Sequence, residues 1–251
     1  MSRRKTDDSV IRHLHSEGLT TTEIAAHFGV STRAIRLRYE VIGINVSERR
    51  RTPIYTVNER FFDEWTSEMA YVLGFILTDG CVSGNTLSIS QANKEPLESI
   101  RRMMTSKHPI REVESGGNKI HTLNIGRKAL VQALAKRGIT EKKSLIVGLP
   151  KVPSAYFADF LRGVIDGDGW VHPKGYVITI TSGSEVFAKQ LTERLKAEGF
   201  PFRTEHDGYA YRIKLSGKDE IKRLESYLYY DPNAFYIAVK RARMRYHKLT
   251  A

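Results

Sequence analysis

The chain has 251 residues, a formal net charge of +12 and 41% hydrophobic residues, which excludes a disordered chain and allows one or two folded domains. The single cysteine, Cys81, excludes an internal disulfide and a cysteine-rich zinc site. No apolar run is long enough to span a bilayer, and the charged first ten residues are followed by no hydrophobic stretch, so we expect an intracellular, soluble protein. The positive charge favours nucleic acid as the partner, with a merely solubilising surface as the alternative.

Residues 1–45 are predicted to form a small all-α domain. Within segment 19–39, Thr20 and Ser31 are suited to cap two successive helices, and Gly29 occupies the turn between them. The second of these helices carries three arginines, Arg33, Arg36 and Arg38. This layout resembles a helix-turn-helix, whose second helix enters the major groove of DNA, while an ordinary helical hairpin is the alternative.

Residues 46–58 are predicted to form a basic linker. Pro53 interrupts regular structure there, and the segment contains a run of three arginines, Arg49, Arg50 and Arg51. Such a run is commonly just solvated, but in a DNA-binding chain it can also contact phosphates.

From residue 59 onward the pattern mixes helices and strands, and the order repeats after about 89 residues. The first repeat (59–150) is predicted to contain helices at about 67–78, 97–104 and 127–137 and strands at 85–91, 109–115 and 119–125. The second repeat (151–251) is predicted to contain helices at 157–166, 185–200 and 217–229 and strands at 176–182, 201–206 and 209–215. We therefore predict an α+β fold built from two pseudo-symmetric αββαββα repeats.

Both repeats carry one motif near the end of their first helix. It reads VLGFILTDG at 72–80 and LRGVIDGDG at 161–169, and the two copies align without gaps. Gly74 and Gly163 lie inside apolar helices, where each costs about 0.5–1 kcal/mol relative to alanine. We expect them at a close contact between the two motif helices, whereas the trailing Gly80 and Gly169 fit helix C-caps.

The motif places Asp79 and Asp168 at the C-terminal ends of these helices, where a carboxylate opposes the helix dipole. A single Asp-Gly pair is common in turns and could occur by chance. Two such aspartates at equivalent positions of a duplicated unit indicate a functional site instead. If the helices pack side by side, the two carboxylates approach each other, which is unfavourable unless a cation lies between them. Mg²⁺ suits carboxylate oxygens, and it would also activate water for attack on a phosphodiester.

The motif pair resembles that of the LAGLIDADG homing endonucleases in their single-chain, two-repeat form, over roughly residues 59–248. The resemblance implies motif helices at the interface of two halves and antiparallel sheets that form a saddle over the major groove. It also implies divalent metal (Mg²⁺, with Mn²⁺ as a substitute) and cleavage of both strands with 3′ overhangs. The metal set implied by the resemblance is Asp79, Asp168, Gly80 and Gly169.

The sequence departs from the family motif at a few positions. Leu73 and Arg162 replace its small second residue, and Leu77 replaces its first aspartate in repeat one. Asp166 keeps that aspartate in repeat two, and helical geometry predicts that it points away from the metal pair as a structural residue.

The resemblance further implies polar active-site residues around the acids. Gln91 ends a strand where the family often has such a residue, and Ser182 takes its place in repeat two. Lys143 and Lys240 resemble the family's active-site lysines, although Lys142 competes with Lys143 and plain surface charge is the alternative for each.

Strand alternation predicts one sheet face packed by helices and one face open to DNA. Polar residues on the strands are candidates for contacts with base edges or phosphates. The candidates are Ser88, Ser90, Lys119, His121, Thr179, Thr181, Arg212 and Lys214, with Thr86 and Asn124 as further outward residues.

These observations predict a site-specific double-stranded DNA endonuclease that acts as a monomer with internal pseudo-dimer symmetry. A non-catalytic DNA-binding transcription regulator and an intron RNA maturase on the same scaffold are the alternatives. A regulator has no need of paired acids at helix C-termini, so the acid pair favours the nuclease. The sequence contains no HExxH metal motif and no glycine-rich phosphate loop.

Overall fold

A computed structural model describes residues 6–44, 54–141 and 147–246. The chain divides into two compact units, Met1–Ile54 and Tyr55–Ala251. Across the described ranges, no helix is both long enough and apolar enough to cross a membrane.

The first unit contains three helices, α1 (Asp8–Ser16), α2 (Thr21–Phe28) and α3 (Thr32–Val41). They enclose a small core of five buried side chains, Ile11, Ile24, Ala25, Ile35 and Tyr39. The Thr20 side chain caps α2 in a capping box with Glu23. Gly29 ends this helix with a φ of +64°, a left-handed conformation that favours glycine, and the Ser31 side chain caps α3.

The second unit contains two repeats with the same order of elements, and the predicted α+β fold is confirmed. The first repeat comprises α4 (Ser67–Asp79), β1 (Gly80–Ser83), β2 (Thr86–Gln91), α5 (Lys94–Met103), β3 (Ile110–Ser115), β4 (Asn118–Gly126) and α6 (Lys128–Lys136). The second comprises α7 (Ser154–Asp168), β5 (Gly169–Val171), β6 (Val177–Ser182), α8 (Glu185–Ala197), β7 (Arg203–His206), β8 (Tyr211–Ser216) and α9 (Lys218–Leu228), followed by α10 (Ala238–Met244). The strands form two antiparallel sheets, ordered β1-β2-β4-β3 and β5-β6-β8-β7.

Three elements were not located from the sequence: β1, β5 and α10. The strands β1 and β5 are too short to show the alternation that identifies a strand, and each begins at the last glycine of its motif. The predicted linker also extends too far. The backbone N–H of Asn58 donates to the Met104 carbonyl at 3.0 Å, and that of Lys107 donates to the Thr56 carbonyl at 2.8 Å. Residues 55–58 therefore belong to the second unit.

The motif helices α4 and α7 occupy the centre of this unit. Nine consecutive residues of α4, from Met69 to Leu77, are buried, and so are the residues from Phe157 to Asp166 in α7. A helix that is apolar on all sides must be covered on all sides. Here α4 and α7 pack against each other, and both sheets supply further contacts.

The contact between α4 and α7 passes through Gly74 and Gly163. A Cβ atom on Gly74 would lie 2.1 Å from the Phe160 carbonyl oxygen, and one on Gly163 would lie 2.1 Å from the Tyr71 carbonyl oxygen. The two contacts are equivalent under the duplication, so the helices cross on a pseudo-twofold axis. Only glycine lets the backbones approach this closely.

The trailing motif glycines differ from the usual helix C-cap. Gly80 and Gly169 follow the last helical residues, but their φ angles of −88° and −76° are extended rather than left-handed. A Cβ atom on Gly80 would lie 2.6 Å from the Ile76 carbonyl oxygen, and one on Gly169 would lie 2.4 Å from that of Ile165. These positions require glycine because the chain turns directly from helix into strand over its own last turn.

Candidate active site and nucleic-acid surface

The two motif acids end their helices where α4 and α7 are in contact. Asp79 is the last residue of α4 and is half-buried, while Asp168 is the last residue of α7 and is exposed. A Cβ atom on Gly167 would lie 1.9 Å from the Thr78 hydroxyl oxygen and 2.7 Å from a carboxylate oxygen of Asp79. The end of α7 therefore lies directly against the Asp79 side chain.

The side chain of Gln91 holds the first acid. Strand β1 leaves the end of α4 and pairs with β2, and this hairpin returns Gln91 to the neighbourhood of Asp79. The Gln91 amide donates to Asp79 Oδ2 at 2.7 Å. In repeat two, the hydroxyl of Ser182 instead accepts the backbone N–H of Ser184 at 3.0 Å. The two halves of the site therefore differ, because Gln91 binds the motif acid of its repeat whereas Ser182 binds the backbone of its own turn.

The ammonium group of Lys240 binds the C-terminal end of α7. Its Nζ donates to the carbonyl oxygens of Ile165, Asp166 and Gly167, at 2.8, 2.6 and 3.0 Å. An ammonium has three donors, so this geometry uses all of them, and a cation at a helix C-terminus is favourable. Burial lowers the pKa of Lys240, although the charges of Asp166, Asp79 and Asp168 act in the opposite direction. Lys240 thus lies in the electrostatic field of both motif acids.

Asp166 occupies a different position from its two neighbours in the motif. It is 1% exposed, and its Oδ2 accepts hydrogen bonds from the Tyr71 hydroxyl and from the backbone N–H of Ile237, both at 3.0 Å. Burial raises the pKa of Asp166 to about 6. The Asp166 carboxyl group thus connects Tyr71 in the first repeat with Ile237 at the start of α10. Its contacts are those of a structural residue.

The structure supplies a reason for Arg162, which departs from the family motif. This side chain is 2% exposed and forms an ion pair with Asp159 at 2.7 Å. It also donates to the carbonyl oxygens of Leu228 at 2.8 Å and Phe235 at 3.1 Å. Arg162 therefore links α7 to the last residue of α9 and to the segment that follows it, a role that the motif pattern does not reveal.

In the first sheet, Ser88 and Ser90 lie on the face opposite the buried residues of β2. Their partners on β4 are Asn124 and Thr122. The hydroxyl of Ser90 donates to that of Thr122 at 3.4 Å. This open face is polar, and Arg111 of β3, the register partner of Thr122, adds a cation at its edge.

The register corrects the assignment of Lys119 and His121 to that face. Both residues alternate in phase with the buried Leu123 and Ile125 of β4, so they belong to the helix-packed side. Lys119 forms an ion pair with Glu112 at 2.9 Å. Lys119 and His121 lie at the exposed start of β4, so they look like surface residues. Alternation counted back from Leu123 and Ile125 nevertheless places them on the face that the helices cover.

In the second sheet, the candidate residues all alternate with buried residues and lie on the open face, namely Thr179, Thr181, Arg212 and Lys214. Arg212 donates to the Thr181 hydroxyl at 2.6 Å and forms an ion pair with Asp207 at 2.7 Å. Lys214 forms an ion pair with Glu205. The strands of this face thus carry basic side chains in ion pairs, whereas β2 and β4 of the first sheet present only uncharged residues at the equivalent positions.

The three arginines of α3 separate into two groups. Arg33 and Arg36 are exposed. Arg38 instead binds the Asp8 carboxylate in α1 with two hydrogen bonds, at 2.6 and 2.9 Å. Arg38 therefore links α3 to α1 and is engaged within the unit. The remaining candidates, Arg49, Arg50, Arg51 and Lys143, lie outside the described residues.

A duplicated α+β unit whose glycine-packed helices end in paired aspartates defines the single-chain, two-motif class of the LAGLIDADG fold. The family model described as a LAGLIDADG-like domain matches residues 66–137 and 156–229, which is more than half of the chain. The chain belongs to the LAGLIDADG family, a family of DNA endonucleases and DNA-binding proteins.

Solved structures show the same fold. The homing endonuclease I-WcaI bound to its DNA recognition sequence is 16% identical, with a TM-score of 0.53 over 82% of this chain and 96% of that one. Full-length DUF199/WhiA from Thermatoga maritima is 12% identical, with a TM-score of 0.53 over 77% of this chain and 65% of that one. At these identities the likeness concerns the fold alone.

Among curated proteins, the B subunit of the A-type ATP synthase of Methanopyrus kandleri is 27% identical over 162 residues. The match covers 63% of this chain but only 16% of that protein. This chain therefore spans a small part of that relative, and the match carries no activity with it.

Proposed function

We propose that the protein is a site-specific endonuclease that hydrolyses both strands of duplex DNA and leaves 3′ overhangs. One observation carries the proposal: Asp79 and Asp168 end two helices that pack in contact at a pseudo-twofold axis. Carboxylates at helix C-termini oppose the helix dipole and are stabilised by cations, and two of them in proximity offer the oxygen ligands that a divalent metal prefers. The duplication supplies both halves from one chain, so the proposed active form is a monomer.

The donor set fits a divalent metal that binds together with DNA. Among the residues that the structure describes, no group of three or more His, Cys, Asp or Glu side chains could hold a metal ion. Mg²⁺ is commonly bound by one or two carboxylates together with substrate phosphates, which is what Asp79 and Asp168 offer. Gly80 and Gly169 adjoin the acids and complete the proposed metal set. When bound, Mg²⁺ or Mn²⁺ would lower the pKa of a water molecule and neutralise phosphate charge.

The other side chains of the site orient the motif carboxylates and offset their negative charge. Gln91 fixes the Asp79 carboxylate through its 2.7 Å hydrogen bond, which limits the rotation of that side chain. Lys240 stabilises the end of α7 and offsets the negative charge of both acids, so we propose it as a positioning residue. Lys143 is proposed as its counterpart in repeat one.

The proposed DNA surface is the open face of both sheets. It comprises Ser88, Ser90, Thr122 and Asn124 in the first sheet and Thr179, Thr181, Arg212 and Lys214 in the second. We propose that the first unit adds a helix-turn-helix contact, in which Arg33 and Arg36 read the major groove. The Arg49–Arg51 run would then contact phosphates.

Cleavage can be tested with a randomised duplex library and Mg²⁺, followed by sequencing of the ends. We expect discrete cut sites, and loss of cutting in Asp79→Asn and Asp168→Asn with DNA binding retained. Asp63→Asn, which makes the same chemical change at an exposed acid outside the motif, is the matched control. Unchanged cutting in both motif variants would disprove the metal assignment.

The alternative is a non-catalytic DNA-binding regulator, or an RNA maturase, on the same scaffold. The family includes non-catalytic members such as WhiA, and the TM-score to WhiA equals that to I-WcaI, which supports this alternative. A library that yields bound duplexes but no cut ends with Mg²⁺ or Mn²⁺ would support it. Preferred binding of structured RNA over duplex DNA would indicate the maturase.

A further inference from the structure

The second sheet carries an exposed aromatic cluster at its β5 edge, formed by Trp170, His172 and Tyr176. Trp170 is 50% exposed and Tyr176 is 47% exposed. His172 contacts both of them edge-to-face, with ring centroids 5.8 Å from Trp170 and 5.9 Å from Tyr176. Tryptophan has a large apolar surface, and half of this one is left in solvent beside the proposed DNA face.

The strand register places Trp170 in a row that crosses the open face. Trp170 pairs with Thr179, Thr179 pairs with Lys214, and Lys214 pairs with Arg203. All four residues therefore project from the same side of the sheet. The row has an indole ring at one end and two basic side chains at the other, Arg203 and Lys214, of which Lys214 is ion-paired with Glu205. This combination suits a polyanion that also presents apolar groups.

The equivalent row of the first sheet has none of this chemistry. There Cys81 pairs with Ser88, and Ser88 pairs with Asn124. The two open faces are thus alike in architecture but unlike in side chains. A duplex lying across both would meet a small polar row on one half-site and an aromatic, cationic row on the other.

Duplex DNA limits what an indole ring can contact. The faces of the bases are covered by stacking, so only their edges and the sugars are accessible. On the major-groove edge, the apolar group is the 5-methyl of thymine. We propose that Trp170 packs on a thymine methyl in the half-site bound by the second sheet and so determines specificity there. The inference rests on the proposed binding of duplex DNA to the sheet faces.

The chain has two tryptophans, which makes the contact directly observable. Trp65 stacks on Tyr156, with ring centroids 6.1 Å apart. Trp65→Phe leaves Trp170 as the sole tryptophan while it keeps an aromatic ring against Tyr156. A duplex selected from the randomised library in Ca²⁺ is titrated into this variant, and we expect the Trp170 emission to change on binding.

The deciding measurement is a double-mutant cycle, in which DNA affinity is measured for a protein substitution and a base replacement, singly and together. Each thymine of the selected duplex is replaced singly by deoxyuridine, which removes only the methyl group. We expect about a four-fold loss of affinity at one or more thymines of a single half-site, the effect of exposing one buried methyl. The same replacement should have no effect on the Trp170→Ala variant. Cys81→Ala, at the equivalent position of the first sheet, is the matched control and should keep the thymine preference.

The outcomes separate this inference from the proposed function. If a duplex is selected but no thymine couples to Trp170, the inference is wrong and DNA binding stands. A uniform loss of affinity on all duplexes in Trp170→Ala would also overturn it, because the ring would then contact only the backbone. If no duplex is selected at all, the proposed function itself fails. Circular dichroism of Trp170→Ala verifies that the exposed substitution leaves the fold intact.

Discussion

The close crossing of α4 and α7 can be tested by adding one methyl group. In Gly74→Ala, the new Cβ would lie 2.1 Å from the Phe160 carbonyl oxygen, whereas real Cβ contacts essentially never fall below 3.0 Å. The helices must therefore separate along a contact that is buried on all sides. Separations of about 0.5–1 Å already forfeit a quarter to a half of the dispersion energy of each atom pair.

The magnitude follows from two opposing effects. Alanine stabilises a helix by up to about 1 kcal/mol over glycine, while overpacking a tight core costs about 1–3 kcal/mol and occasionally more. With the obstruction formed by backbone rather than by a flexible side chain, the cost should dominate. We expect a net loss of about 2 kcal/mol, or about 4–8 °C in Tm for a chain of this size.

Urea denaturation followed by circular dichroism measures this loss. Gly163→Ala should cost a similar amount, and the double variant should cost less than the sum, because helices that have already separated admit the second methyl more easily. Gly126→Ala is the control, since its Cβ would have only an ordinary contact, 3.7 Å from Thr86. Stability of Gly74→Ala equal to or above that of the control would refute the close-packing argument.

Three further predictions concern the acid pair and the first unit. Gly167→Ala should reduce the cleavage rate, since its Cβ would displace the Asp79 side chain, and Thr78→Gly in the same chain should restore part of it. Burial raises the pKa of Asp166 from its ordinary value of 3.8 to about 6, so the stability that is present below pH 3.8 is lost as the pH rises through 6. In urea titrations, the stability of Asp166→Asn relative to that of the wild type should therefore rise by about 3 kcal/mol between pH 3 and 8. Arg36→Ala should weaken DNA binding and flatten its salt dependence by about 0.9 in log–log slope for each phosphate that is no longer neutralised, whereas Arg38→Ala should instead lower the stability of the first unit, by at most about 1 kcal/mol because the pair is partly exposed.

The candidate site shows where sequence reasoning succeeds. The position of Asp79 and Asp168 at the ends of two packed helices follows from a gapless internal alignment. The need for Gly74 and Gly163 follows from the cost of glycine within a helix. Both inferences depend on residues within one short motif, and the duplication relates the second copy to the first.

Other features depended on contacts between distant segments. The hydrogen bonds of Lys240 link residues more than seventy positions apart. The pairing of Arg38 with Asp8 removes an arginine from the expected DNA-reading set.

The sequence by itself determined most of the order of elements, the duplication, the caps of α2 and α3 and the acid pair. Hydrophobic periodicity, helix capping and the destabilising effect of glycine within a helix all act over a few residues. They can therefore be recognised in the local sequence. Only the tertiary structure decided that Gln91 holds Asp79, that Lys240 binds the end of α7 and that Trp170 stands in a row with Lys214. These relations depend on strand register and helix packing, which bring together side chains that no local pattern connects.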